Sequence, residues 1–199
     1  MSYKNTKEGF KKLYIAAILM LISNCATFFS DTTKQVNLYI SIALIIVGII
    51  GYVLNFKGLQ LCAQDDSGFN QAYIFSIIGL IVEIVSALVS AIFNVTWLNT
   101  CTRVICGFCE FMVVWEVLMT SDYILNKKEN VALAKNARVT AYLSLAVFVV
   151  TILLSYYNVQ MASTGETIVM TIIAVITGIV GIIAEVKYFL FIRQMKDAI

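Results

Sequence analysis

Six stretches of predominantly apolar residues follow one another along this chain, at about 13–29, 37–56, 71–93, 101–124, 139–157 and 167–190. Crossing the ~30 Å hydrocarbon core of a bilayer takes ~20 such residues in a helix. Hydrocarbon offers no partner to unpaired backbone groups, so each run must satisfy its own hydrogen bonds, as an α-helix does. The expected fold class is all-α, a polytopic integral membrane bundle of six transmembrane helices. The links are short and could not build a second core, so residues 1–199 are expected to form a single six-helix transmembrane domain. Composition agrees, with 60% hydrophobic and 13% charged residues against ~45–50% and ~25% in globular domains.

The basic residues set the expected orientation. With the N-terminus inside, Lys4, Lys7, Lys11, Lys12, Lys57, Lys127, Lys128, Lys135, Arg138, Lys187, Arg193 and Lys196 fall on the cytoplasmic side, and only Lys34 and Arg103 on the other. Twelve against two follows the positive-inside rule and places both termini in the cytoplasm of a bacterial cell membrane. The net charge of +2 reflects this topology, so nucleic acid is not an expected partner. The basic start resembles that of a signal peptide. No small-x-small cleavage site leads from it into a soluble domain, so the first run is read as retained.

Two absences narrow the chemistry. Without histidine, His-ligated haem or zinc and a His general base are excluded. Without proline, the helices are expected to be continuous, since any break would rest on glycine alone. No cofactor and no metal site is expected, and no nucleotide-binding motif occurs.

A two-helix hairpin is expected to recur three times. At a shift of 59 residues Gly9-Phe10 falls on Gly68-Phe69, Tyr14-Ile15 on Tyr73-Ile74, Ile18 on Ile77, and Leu21-Ile22 on Leu80-Ile81. Ile46-Val47-Gly48-Ile49-Ile50 recurs as Ile179-Val180-Gly181-Ile182-Ile183. Copies of one topology would be related by an axis along the membrane normal.

Small and polar residues mark the faces expected to pack, because positions three, four and seven apart share a face. Helix 2 offers Ser41, Gly48, Gly51, Asn55, Gly58 and Cys62, helix 5 offers Thr140, Ser144, Thr151 and Ser155, and helix 6 offers Thr171, Ala174, Gly178, Gly181 and Glu185. These stripes read first as helix–helix seams, since small side chains let transmembrane helices approach closely.

The carboxylates call for more. Glu83 is at the middle of the 71–93 run, on one stripe with Ser76, Gly79, Ser86 and Ser90. Glu110 lies near the same depth, and Glu185 lies towards the cytoplasmic side, where Lys187 offers a partner. The repeat sets Asn24 opposite Glu83. A carboxyl at bilayer depth costs several kcal/mol and normally faces protein or a water-filled cavity, where it carries protons, coordinates a cation or binds an amine. Glu83, Glu110, Asn24 and Glu185 are therefore the candidate substrate- or ion-binding residues, expected as buried groups lining the bundle interior.

Cys106-Gly-Phe-Cys109 is a C-x-x-C in the outer half of helix 4, with Cys101 nearby. It resembles the dithiol of membrane thiol oxidoreductases that pass electrons to quinones, but over four residues and without their second dithiol. Cysteine is also a small apolar filler. In size and helix count the chain is similar to the small substrate-capturing subunits of bacterial vitamin transporters, though it lacks their prolines and long Gly-rich loops.

The leading expectation is a small-solute or cation transporter, or the membrane subunit of one. A non-catalytic accessory, immunity or scaffold protein is the alternative, and a Cys106/Cys109 thiol oxidoreductase the third reading; no enzyme activity is expected under the first two. The expected partners are the lipid bilayer, a small solute or cation, and other membrane protein subunits.

Overall fold

The computed structural model describes the backbone of residues 3–30, 38–92, 96–160 and 167–199, and the side chains of most of them. Six helices account for nearly all of it: α1 (Lys4–Ser30), α2 (Leu38–Asp65), α3 (Gly68–Ile92), α4 (Thr96–Lys127), α5 (Val131–Gln160) and α6 (Thr167–Ala198). No strand occurs among the described residues. The shortest helix has 25 residues and the longest have 32, or ~38 to ~48 Å at 1.5 Å per residue. Each therefore outruns the hydrocarbon, which is why the helices extend beyond the apolar runs at their polar ends. Among the described residues five of them, α2 to α6, are long and apolar enough to cross a membrane. The run at 13–29 ends in side chains outside the described set. The protein is a helical membrane bundle.

Contacts divide the chain into two units, Met1–Tyr73 with Ile192–Ile199, and Ile74–Phe191. In the first, α1 and α2 lie against each other along a seam of small residues. A Cβ at Gly9 would stand 2.5 Å from Cys62 Sγ and 2.6 Å from the Gly58 carbonyl, and one at Gly58 would stand 2.8 Å from Leu13 Cγ. Only glycine permits such an approach. Further along, Gly51 meets Met20 and Ala16, and Ser23 Oγ donates to the Leu44 carbonyl at 3.1 Å beside Gly48. The small face of α2 is thus the α1 seam.

The polar end of this seam is clamped. Asp65, the last residue of α2, accepts hydrogen bonds from Thr6 N at 2.7 Å, Thr6 Oγ1 at 3.0 Å and Asn5 Nδ2 at 3.0 Å. It thereby satisfies a donor in the first turn of α1 and places negative charge at that helix's positive end. Its neighbour Asp66 serves α3 instead, accepting from Gly68 N at 2.9 Å. Phe10 and Phe69, equivalent at the 59-residue shift, are both fully buried and meet edge to face at 5.9 Å.

In the second unit α4 packs on α5 through a three-residue turn. The Asn130 N–H donates to the Leu125 carbonyl at 2.9 Å, closing α4, while Asn130 Oδ1 accepts from Leu133 N at 3.3 Å, opening α5. The residue between, Glu129, has φ 60°, a conformation that usually falls to glycine. Aromatic rings join three helices: Phe75 of α3 meets Phe108 of α4, Phe111 stacks on Phe148 of α5 at 4.6 Å, and Trp115 meets Tyr142.

Burial is uneven along each helix. The described buried side chains lie in the N-terminal halves of α1, α3 and α5 and mostly in the C-terminal halves of α2, α4 and α6. In α1, α2, α5 and α6 these are also the ends that carry the basic residues. In no candidate span is more than 28% buried within the chain, so aliphatic surface dominates the remainder.

The expected repeat meets a mixed outcome at its glycines. A Cβ at Gly48 would press on Ser23, one at Gly181 would lie 3.6 Å from Val147, and one at Gly107 would meet nothing within 4 Å among the described residues, so the equivalent positions do not share one contact.

Candidate functional site

The candidate residues of the second unit gather where α3 approaches α4. Gly79, lacking a side chain, lets α4 come close: a Cβ there would lie 3.2 Å from Cys109 Cβ. The Cys106 thiol donates to the Gly79 carbonyl at 3.9 Å. Both cysteines of the C-x-x-C are free thiols occupied with this contact; Cys109 is buried, Cys106 half-buried and Cys101 exposed.

Glu83 follows Gly79 by four residues and so shares its side of α3. Glu83 lies within electrostatic reach of the Cys106 thiol and the Glu110 carboxyl of α4, and Glu185 of α6 within reach of Glu110. Glu110 is thus within electrostatic reach of a carboxyl on each of two other helices. Asn24 and Ser90 lie outside the described side chains.

One expectation needs correction. Glu83, Glu110 and Glu185 were expected to be buried in the interior; each is exposed within this chain. The reason lies in their neighbours. Gly107 precedes Glu110 by one turn and Gly178 precedes Glu185 by two, and a Cβ added at either would meet nothing within 4 Å among the described residues. The acids therefore line a thinly covered part of the unit. They do not form a chelating cage: among the described residues no group of three or more His, Cys, Asp or Glu could hold one metal ion. What the arrangement provides is three exposed carboxyls from α3, α4 and α6 within one unit.

The hydroxyl stripe of α5 is not part of this patch. Thr140 donates to the Asn136 carbonyl, Ser144 to Thr140 and Thr151 to Val147, at 2.8, 3.0 and 2.8 Å. These i−4 bonds return each hydroxyl to its own helix. Trp115, between Phe111 and Tyr142, is a packing residue.

The strongest polar constellation was not anticipated. Asp122, buried near the end of α4, receives Arg138 Nη2 at 3.0 Å and Nε at 3.3 Å, and Asn126 Nδ2 at 3.0 Å. Arg138 had counted only as a topological charge, and Asp122 fell at the edge of an apolar run. The available signal was Asp122 and Asn126 four residues apart on one helical face. Beside them Ser121 Oγ is buried without a hydrogen-bond partner among the described residues. This constellation joins α4 to α5 and is saturated by its own members, which makes it structural. No family model matches the chain, and neither a curated protein nor a solved structure matches it.

Proposed function

We propose that this protein transports a small solute or cation across a bacterial cell membrane, alone or as the membrane subunit of a transporter, with both termini cytoplasmic. The observation that carries the reading is the convergence of Glu83, Glu110 and Glu185 from α3, α4 and α6. A carboxyl at the centre of a membrane helix costs roughly 2.5–3.5 kcal/mol even on the lenient insertion scale. Interhelical polar contacts return on average only ~0.6 kcal/mol each. Three such groups on converging helices exceed what packing requires, and a cation or protonated amine would use them.

The test is uptake of monovalent cations and small amines into proteoliposomes holding the wild type, Glu83→Gln or Glu110→Gln. Each substitution keeps the shape and removes the charge, so transport should fall at least tenfold with the fold intact. Wild-type rates and unchanged ligand-induced stabilisation in both variants would rule out the proposal. The bare glycines Gly107 and Gly178 favour the second reading, an accessory subunit, because small residues are where a partner helix would seat. That reading expects stoichiometric membrane subunits in a gentle-detergent pull-down, and a tolerated Glu83→Leu.

A further inference from the structure

The outer side of α1 joins a basic stripe to an apolar one. Lys4, Lys7 and Lys11 follow at intervals of three and four residues, opposite the buried Thr6, Phe10 and Leu13. Four residues beyond Lys11 the same side becomes apolar with Ile15, 48% exposed, and continues through Ile18 to Ile22, 47% exposed. Tyr14 marks the change, and a second helix contributes here: Lys196 of α6 holds its ammonium 4.7 Å from the Tyr14 ring centroid. Arg193, exposed and one turn earlier on α6, shares the side of Lys196.

Acidic groups only partly balance this set. Glu8 lies 3.4 Å from Lys11 and 4.0 Å from Lys12, and Asp197 follows Lys196. The result is a positive cluster from two helices gathered about a tyrosine, directly above exposed aliphatic side chains. Cation–π contact fixes the Lys196 ammonium without neutralising it.

The geometry points to a seat for an anionic phospholipid, with its phosphate among Lys7, Lys11 and Lys196 and an acyl chain along Ile15, Ile18 and Ile22. Charge complementarity selects the headgroup, and the aliphatic stripe requires that the phosphate belong to a lipid. The site lies in the first unit and is independent of the carboxylates proposed for transport.

The test is native mass spectrometry of the full chain released from micelles doped with phosphatidylglycerol or phosphatidylcholine, with thermal unfolding in parallel. The wild type should retain phosphatidylglycerol preferentially and be stabilised by it, and inorganic phosphate alone should do nothing. Each basic residue near a membrane surface contributes about fivefold to anionic lipid binding, so Lys7→Gln/Lys11→Gln/Lys196→Gln together should weaken retention about a hundredfold. The corresponding triple Arg variant should keep it, which separates charge from misfolding. Lys127→Gln/Lys128→Gln/Lys135→Gln removes equal charge from the second unit and should stay within about threefold of wild type. Equal loss in both Gln triples, equal retention of the two lipids, or stabilisation by inorganic phosphate would overturn the assignment.

Discussion

Replacing Gly9 by alanine tests the packing of α1 on α2 most directly. The new methyl would stand 2.6 Å from the Gly58 carbonyl oxygen and 2.5 Å from Cys62 Sγ, about 1 Å inside ordinary contact. The thiol can rotate away, but the carbonyl belongs to the α2 backbone, so the helices must part. A radial gap of 0.5–1 Å forfeits a quarter to a half of each dispersion well along a seam. The Thr6–Asp65 clamp at 2.7 Å lies within one turn and would lengthen with it. Overpacking of this kind costs ~1–3 kcal/mol, and the strained clamp adds ~1, against up to ~1 regained from alanine's helix propensity. The expected net loss is ~2–3 kcal/mol, read by reversible unfolding in mixed SDS micelles. Gly107→Ala and Gly178→Ala are the internal controls, because the added Cβ would meet nothing within 4 Å among the described residues. They should be neutral or stabilise by up to ~1 kcal/mol. If Gly9→Ala unfolds within ~0.5 kcal/mol of those two, the close approach of α1 and α2 is wrong.

Asp65→Ala should cost ~1–3 kcal/mol by stranding the Thr6 and Asn5 donors, with Asp65→Asn in between; chemical denaturation reads both, and no loss would mean the clamp is idle. Arg138→Ala should destabilise more than Asp122→Ala in the same assay, by ~1–2 kcal/mol. The carboxylate is 11% exposed and would lose its counter-charge, keeping only Asn126, whereas Arg138 is 51% exposed and can turn to water. Glu129→Gly should stabilise by ~0.5–1 kcal/mol, since φ 60° strains a residue with a Cβ; a loss would place the turn elsewhere. A membrane-impermeant maleimide added from the side opposite the termini should modify Cys101, which is exposed, and spare Cys62 and Cys109, at 0% and 3% exposure; labelling of Cys62 would contradict both the orientation and the α1 seam.

The helices were legible because hydrophobic length is a one-dimensional property: every apolar run falls within one helix apart from positions 37 and 93, which lie outside the described residues. Their polar extensions were harder to read. α2 continues nine residues past the run that ends at 56, because Gly58, Leu59 and Cys62 are buried there and Asp65 finds donors on α1. Hydropathy treats such ends as loop, since it scores each residue without its partner. The stripe from Gly48 to Cys62 was readable as a seam, but sequence could not name α1 as the helix facing it. Asp66 makes only a local contact, two residues away. Asp65 and Asp122 bind residues 59 and 16 positions distant, and nothing local announces such pairs. The exposure of Glu83, Glu110 and Glu185 was missed for a similar reason. Small neighbours signal close packing only when another helix arrives to use them.

The confinement of buried side chains to one end of each helix has a consequence for handling the protein. Over the other stretch, acyl chains do the work that facing side chains do in a water-soluble core. They are therefore constituents of the folded state, and a short-chain detergent would remove part of that state along with the bilayer. Amide exchange should then start far from the Asp65 and Asp122 clamps, and its onset should shift with chain length of the surrounding amphiphile. A free energy of unfolding measured for this molecule will belong to the polypeptide and its solvating lipid as a pair.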